Sequence, residues 1–196
     1  MNLPTRLTVL RIFLSFLLLP LIIWPGAGVK ALALIVFIIA CVTDYLDGYW
    51  ARSRNLCSTL GAFLDPLADK ILVIGAFLGF VQLGLIPAWL VLLVLARDFL
   101  ISALRLVAAE RGKVIAANLG GKAKTVAQMV AVGLSVLFLG VRELGILQGQ
   151  WSAERDALLN QSVFLLVAVA VLLTVISGAQ YWIANRSVLY DSAEKS

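Results

Sequence analysis

Polar residues are scarce along this chain, and their placement divides it into apolar runs. Each run is roughly 20 residues long, enough to cross a hydrocarbon core. In lipid every backbone N–H and C=O must be satisfied within its own segment, so runs of this kind are helices. Six are predicted: about Leu7 to Trp24, ended by Pro25-Gly26; Lys30 to Arg52; and Gly61 to Leu83, with Pro66 near its start or kinking it. The fourth opens at Pro87, a natural first-turn position, and continues to about Ala109; the last two cover Lys122 to Leu139 and Ser162 to Ile183. Arg142 to Asn160 is then the longest polar connection. The expected fold class is all-α: a polytopic membrane protein with six transmembrane helices in one bundle, and residues 1–196 forming a single domain.

Composition agrees with that pattern. Of 196 residues 62% are hydrophobic and 14% charged, leaving too little polar surface for a soluble domain of this size. The net charge of +5 raises the question of nucleic acid, but the basic residues cluster in short loops and at helix ends, so no nucleic-acid partner is expected. Arg6, Arg52, Arg54, Arg111, Lys113, Lys122, Lys124, Arg186 and Lys195 all fall on one side of the alternating spans, which puts both termini in the cytoplasm. The first 25 residues lack a small-residue cleavage site and carry Arg11 within the apolar run, so they read as a retained helix. The chain has no His, and Cys41 and Cys57 are too few for a disulfide framework or a zinc site. Any chemistry must therefore use carboxylates, basic side chains and hydroxyls.

The carboxylates are where the apolar pattern breaks most sharply. Asp44 and Asp47 are one helical turn apart on one face of the second helix, and Asp65 and Asp69 share a face of the third. The short basic loop between these helices predicts antiparallel neighbours, with all four acids at one depth. Two such charges about 5 Å apart repel by roughly 3 kcal/mol at an effective dielectric near 20, so cations or protons must offset them. Two divalent ions would cancel four negative charges, and all-oxygen ligation suits Mg²⁺ or Mn²⁺. A two-metal carboxylate site commonly serves displacement at phosphorus. Gly48 and Ala51 keep the same helix surface free of bulk, and Arg52 offers a fork for phosphate oxygens.

The arrangement D-x-x-D-G-x-x-A-R-x8-G-x3-D-x3-D, Asp44 to Asp69, resembles the signature of the CDP-alcohol phosphotransferase family at every fixed position. The resemblance implies metal binding by Asp44, Asp47, Asp65 and Asp69, with Asp69 also the general base. It implies that Gly48, Ala51, Arg52 and Gly61 receive the CDP-lipid. A-R-D-x3-S-x2-R on the fourth helix and G-K-x-K-T-x-x-Q on the fifth are similar to the bacterial phosphatidylglycerophosphate synthase branch, as is N-L-P-T-x-L-T-x-x-R from Asn2 to Arg11. The implied reaction moves a phosphatidyl group from CDP-diacylglycerol to sn-glycerol 3-phosphate in a bacterial inner membrane, with the site facing the cytoplasm and the enzyme a homodimer among membrane lipids. Arg97, Arg105, Lys122 and Lys124 would hold the acceptor phosphate, and Thr8, Arg11, Ser102, Thr125 and Gln128 are further candidates.

Each assignment has a plainer alternative. Arg97 and Asp98 can also be read as a structural ion pair, the lysines as anchors for anionic lipid, and Thr8 and Arg11 as helix-packing groups. Gly75-x3-Gly79 reads as a close-packing or dimer contact, and Trp24, Trp50, Trp89 and Tyr49 as interfacial anchors. Phosphatidylglycerol, as in a cardiolipin synthase, and inositol phosphate are alternative acceptors. A divalent-cation transporter is a distant alternative that leaves Gly48, Ala51 and Arg52 unexplained.

Overall fold

The computed structural model describes residues 3–54, 59–110 and 119–186; within these, the side chains of 3–5, 47–54, 59–63, 65–66 and 119 are outside the description. The described chain is helical: α1 (Leu3–Ile23), α2 (Ala27–Arg54), α3 (Thr59–Gln82), α4 (Ala88–Glu110), α5 (Leu119–Leu147) and α6 (Ala153–Asn185). Four stretches are long and apolar enough to cross a membrane, Arg6–Ile23, Ala27–Leu46, Gly120–Leu147 and Ala153–Asn185. The helices α3 and α4 are of comparable length, but their charges, Asp65, Asp69 and Lys70 on one and Arg97, Asp98 and Arg105 on the other, lie well inside the helix and leave no apolar stretch as long. Large apolar side chains face outward, with Phe13 69% and Phe99 67% exposed. That inversion fits a lipid surround.

Sequence chemistry sets the ends of the helices. Pro25-Gly26 turns α1 into α2, with Gly26 at φ 117°, a value that only glycine adopts readily. Lys30 is buried there, its Nζ donating to the carbonyls of Ile22 and of Trp24 (2.7 Å), which are left without helical partners. Gly84 ends α3 in a paired turn, Leu85 N–H to Phe80 O (2.9 Å) and Gly84 N–H to Val81 O (3.0 Å). Gly149 repeats the device after α5.

Two expectations are corrected here. Arg142 to Asn160 is not a long polar loop, because α5 continues to Leu147 and α6 begins at Ala153. Ser152 caps α6 by accepting from Arg155 N–H (3.3 Å), and Glu154 and Asp156 lie in its first turn, where negative charge is favourable. Asp156 then takes Arg142 Nε (2.5 Å) and Trp151 Nε1 (3.1 Å), so charges that looked like loop residues tie two helix ends together. The start of α3 at Thr59 lies within two residues of the expected Gly61, and the helix continues through Pro66 in its first third.

The second correction concerns neighbours. The helices α2 and α3 make no extensive contact among the described residues; α1 packs against both. The contacts run in a cycle, α1 to α2, α2 to α5, α5 to α6, α6 to α4, α4 to α3 and α3 back to α1. Gly79 explains the closeness of α1 and α3, since a Cβ there would stand 2.8 Å from Ile22 Cγ2. The Gly75-x3-Gly79 pair therefore serves packing inside the chain, with Gly75 facing the Ser15 carbonyl. The apolar core of Leu18, Ile22, Leu72, Phe77, Phe80, Val132, Val136 and Val163 fills the half of the bundle away from the acidic residues. Trp24 and Trp89 are exposed at helix ends, as interfacial anchors would be; Tyr49 and Trp50 have side chains outside the described residues.

Candidate active site

Polar residues on three helices recur at the spacing that keeps them on one face. On α4 these are Asp98, Ser102 and Arg105, with Arg97 beside them; on α5, Gly121, Lys124, Thr125 and Gln128; on α6, Thr174, Ser177, Gly178 and Tyr181. The α4 and α5 residues and, from α6, Tyr181 line a cavity of about 530 Å³ together with the polar end of α3. Asp44 and Asp69 line one part of it, and Lys70, Arg97, Arg105, Lys122 and Lys124 line the rest. The contacts of α3 with α4 and with α5 are light, because the cavity lies between them.

At the acidic end, Arg11 reaches across from α1. Its Nη1 stands 2.7 Å from Asp44 Oδ1 and 2.9 Å from Asp69 Oδ1, so carboxylates from two helices converge on one cationic nitrogen. Arg11 is fully buried and the two aspartates are about one-third exposed on the cavity side. Arg11 and Thr8, also buried, are therefore behind the carboxylates and do not line the cavity.

The convergence of Asp44 and Asp69 suits a divalent cation: two hard oxygen donors from separate helices already meet at a position where positive charge is held. Among the described residues no group of three or more potential metal ligands occurs. The other two acids of the motif, Asp47 and Asp65, belong to α2 and α3 with side chains outside the described residues, as do Gly48, Ala51, Arg52 and Gly61.

The basic wall is cross-linked. Asp98 is buried and accepts from Arg97 Nη1 (3.0 Å) and from Lys124 Nζ, so one carboxylate holds two cations from two helices. Arg97 and Asp98 are thus an ion pair and also part of the cavity lining. Arg97 Nη2 donates to Ser177 Oγ (3.2 Å) on α6. Arg105 Nε donates to Tyr181 Oη (3.0 Å), with the guanidinium carbon 5.3 Å from the ring centroid. Gln128 Nε2 donates to Thr174 Oγ1 (3.0 Å), and Thr125 Oγ1 to the Gly121 carbonyl (3.2 Å), so both of these candidates are engaged within the fold. Lys122 is exposed at the cavity rim.

Several cavity residues were not singled out from the sequence. Lys70 follows Asp69 directly, lines the cavity and donates to Ser102 Oγ (2.9 Å). On α6, Tyr181 lines the cavity, and Thr174 and Ser177 hold side chains of its wall; these were overlooked as well, although 174, 177, 178 and 181 form a polar and small stripe in the apolar part of the helix that follows Ser162. That stripe is a legible signal, since intramembrane polar groups point inward and to function.

A model of the CDP-alcohol phosphatidyltransferase family matches residues 1–176. The chain is 38% identical over 203 aligned positions to a Bacillus subtilis protein named CDP-diacylglycerol–glycerol-3-phosphate 3-phosphatidyltransferase, covering 97% of this chain and 98% of the relative. A Salmonella choleraesuis protein of the same name is 36% identical, with 97% and 98% covered. A Mycobacterium tuberculosis protein named probable phosphatidylglycerophosphate synthase is 37% identical, with 92% and 79% covered.

Proposed function

Because the chain belongs to the CDP-alcohol phosphatidyltransferase family, we propose that it transfers the phosphatidyl group of CDP-diacylglycerol to sn-glycerol 3-phosphate, giving phosphatidylglycerophosphate and CMP. The observation that carries this reading is a cavity whose acidic end, Asp44 and Asp69, adjoins a wall of five cations. One end would suit a diphosphate accompanied by divalent metal. The other suits a small phosphorylated alcohol, which a serine-type acceptor would leave unsatisfied.

The chain sits as one domain in a bacterial inner membrane, with six spans, both termini in the cytoplasm and the cavity open on that side. The loop charges support this orientation. The extra charges of α3 and α4 are compatible with spanning because Asp69, Lys70, Arg97, Asp98 and Arg105 all border the cavity instead of lipid. A homodimer is the assembly the family resemblance implies.

Asp44, Asp47, Asp65 and Asp69 would hold two divalent ions, Mg²⁺ or Mn²⁺, which supply positive charge to the diphosphate and to the departing CMP. Arg11 fixes Asp44 and Asp69 from behind by ion pairs. Gly48, Ala51 and Gly61 leave room for the cytidine side, and Arg52 binds a phosphate oxygen. Arg97, Arg105, Lys122 and Lys124 orient the acceptor through its phosphate, and Lys70, next to Asp69, extends that wall. Asp69 accepts the proton of the acceptor hydroxyl as its oxygen attacks the lipid-side phosphorus. The new P–O bond forms as the bond to CMP breaks. Most of the rate comes from positioning and from charge fixed in advance.

The test is CMP release by purified protein in detergent with CDP-diacylglycerol and Mg²⁺ or Mn²⁺, one acceptor at a time. Turnover with glycerol 3-phosphate alone, abolished by EDTA and restored by added metal, is expected. Turnover with phosphatidylglycerol, inositol phosphate or serine instead would keep the transfer chemistry and overturn the acceptor.

A further inference from the structure

The apolar helix α6 carries a glycine whose backbone gives no reason for it. Gly178 is interior to the helix and is not among the positive-φ glycines of the described residues, Gly26, Gly84 and Gly149. At such a position glycine is unfavourable relative to alanine. What the position lacks is space. A Cβ at residue 178 would stand 2.5 Å from Arg97 Cγ, 3.0 Å from Nε and 3.4 Å from Cδ.

The closest of these, Cγ, is near the root of the Arg97 side chain and not at its flexible tip. Cγ cannot retreat without a different χ1 rotamer or a separation of α4 from α6, the two helices that pack here. The guanidinium is then fixed from both sides, Nη1 on Asp98 (3.0 Å) and Nη2 on Ser177 (3.2 Å), while the Ser177 hydroxyl itself donates to the Thr174 carbonyl (3.0 Å). Arg97 therefore runs through a slot floored by Gly178 and closed by Ser177 before it reaches the cavity.

We propose that Gly178, together with Ser177, is a positioning element that sets where the Arg97 guanidinium stands in the cavity and thereby tunes affinity for the anionic acceptor. This rests on the reading of Arg97 as a ligand of the acceptor phosphate. A guanidinium engages phosphate oxygens through a planar fork, so a displacement of the side-chain root misaligns both hydrogen bonds at once.

The experiment is steady-state kinetics on Gly178→Ala, Ser177→Ala, Arg97→Ala and the double variants in the Arg97→Ala background, with thermal midpoints in detergent. Gly178→Ala is expected to raise KM for glycerol 3-phosphate at least five-fold, leaving kcat and KM for CDP-diacylglycerol within two-fold. Ser177→Ala, which removes a hydrogen bond without adding bulk, should raise the same KM by a smaller factor. In the Arg97→Ala background neither change should have further effect on KM, because the atoms they act on are gone, and Gly178→Ala should no longer lower the midpoint, since alanine is favoured there once it has space. If Gly178→Ala does not fold, Ser177→Ala alone decides, and an unchanged acceptor KM there overturns the proposal. A Gly178→Ala shift that persists without the arginine side chain overturns it too, as general helix packing. Wild-type acceptor KM in Arg97→Ala would remove Arg97 from the acceptor site, whereas a raised KM there with normal Gly178→Ala defeats only the positioning role.

Discussion

Asp98 is the residue whose loss has the most calculable consequence. It is 8% exposed and is the shared anion for Arg97 and Lys124, whose side chains are 13% and 9% exposed. Asp98→Asn keeps the shape and removes the charge, leaving two largely buried cations facing each other. Breaking a buried pair by removing one partner costs about 3–5 kcal/mol, most of it from the charge left behind. The cavity admits water beside these groups, so the low end applies, roughly 3 kcal/mol. For a chain of this length that corresponds to a midpoint lowered by about 6–12 °C, at roughly 2–4 °C per kcal/mol. Lys124→Met should be milder, because it leaves Arg97 and Asp98 paired, and the double variant should be more stable than Asp98→Asn alone. The assay is thermal unfolding in detergent, repeated with glycerol 3-phosphate. The added phosphate should raise the midpoint of Asp98→Asn more than that of the unaltered chain, since it supplies the missing negative charge by mass action. A midpoint for Asp98→Asn within 2 °C of the parent, or no lower than that of Lys124→Met, would refute the reasoning that this carboxylate is what permits two cations there.

Three further outcomes follow from the same geometry. Asp69→Asn should lower CMP release by roughly 10²–10⁴-fold at saturating metal, the usual contribution of a positioned proton acceptor, and near-normal turnover would remove it from that role. Tyr181→Phe deletes the hydrogen bond to Arg105 and keeps the ring beneath it; with Arg105 open to the cavity the loss is about 1 kcal/mol, read as a roughly five-fold rise in acceptor KM. Gly79→Val forces α1 away from α3 at Ile22 and should cost about 1–3 kcal/mol of stability, measured as a lower midpoint in detergent with activity per folded molecule nearly unchanged.

The hydrophobic pattern alone determined the number and order of the helices, because a backbone in lipid has few ways to satisfy its hydrogen bonds. Spacing alone put Asp44 and Asp47 on one face and Asp65 and Asp69 on another, and the motif they form identified the family the chain belongs to. The helix ends were less legible: α5 and α6 extend well past their apolar runs, since a cap at Ser152 and ion pairs at Asp156 sustain a helix where hydropathy falls away. Neighbour relations were legible only in part: the acidic faces of α2 and α3 do bring Asp44 and Asp69 together, as expected. A short connection between α2 and α3 argued for direct packing, yet α1 contacts both, and Arg11 is what joins Asp44 to Asp69. Local sequence encodes which face of a helix is polar; it does not encode which helix that face meets. Only the tertiary structure joined Asp98 to Lys124, Arg105 to Tyr181 and Arg97 to Ser177, pairs from 26 to 80 residues apart. Those long-range contacts turn isolated charges into one cavity: Lys124 finds its carboxylate on another helix, and Arg97, paired with Asp98 on its own helix, takes a further partner on α6.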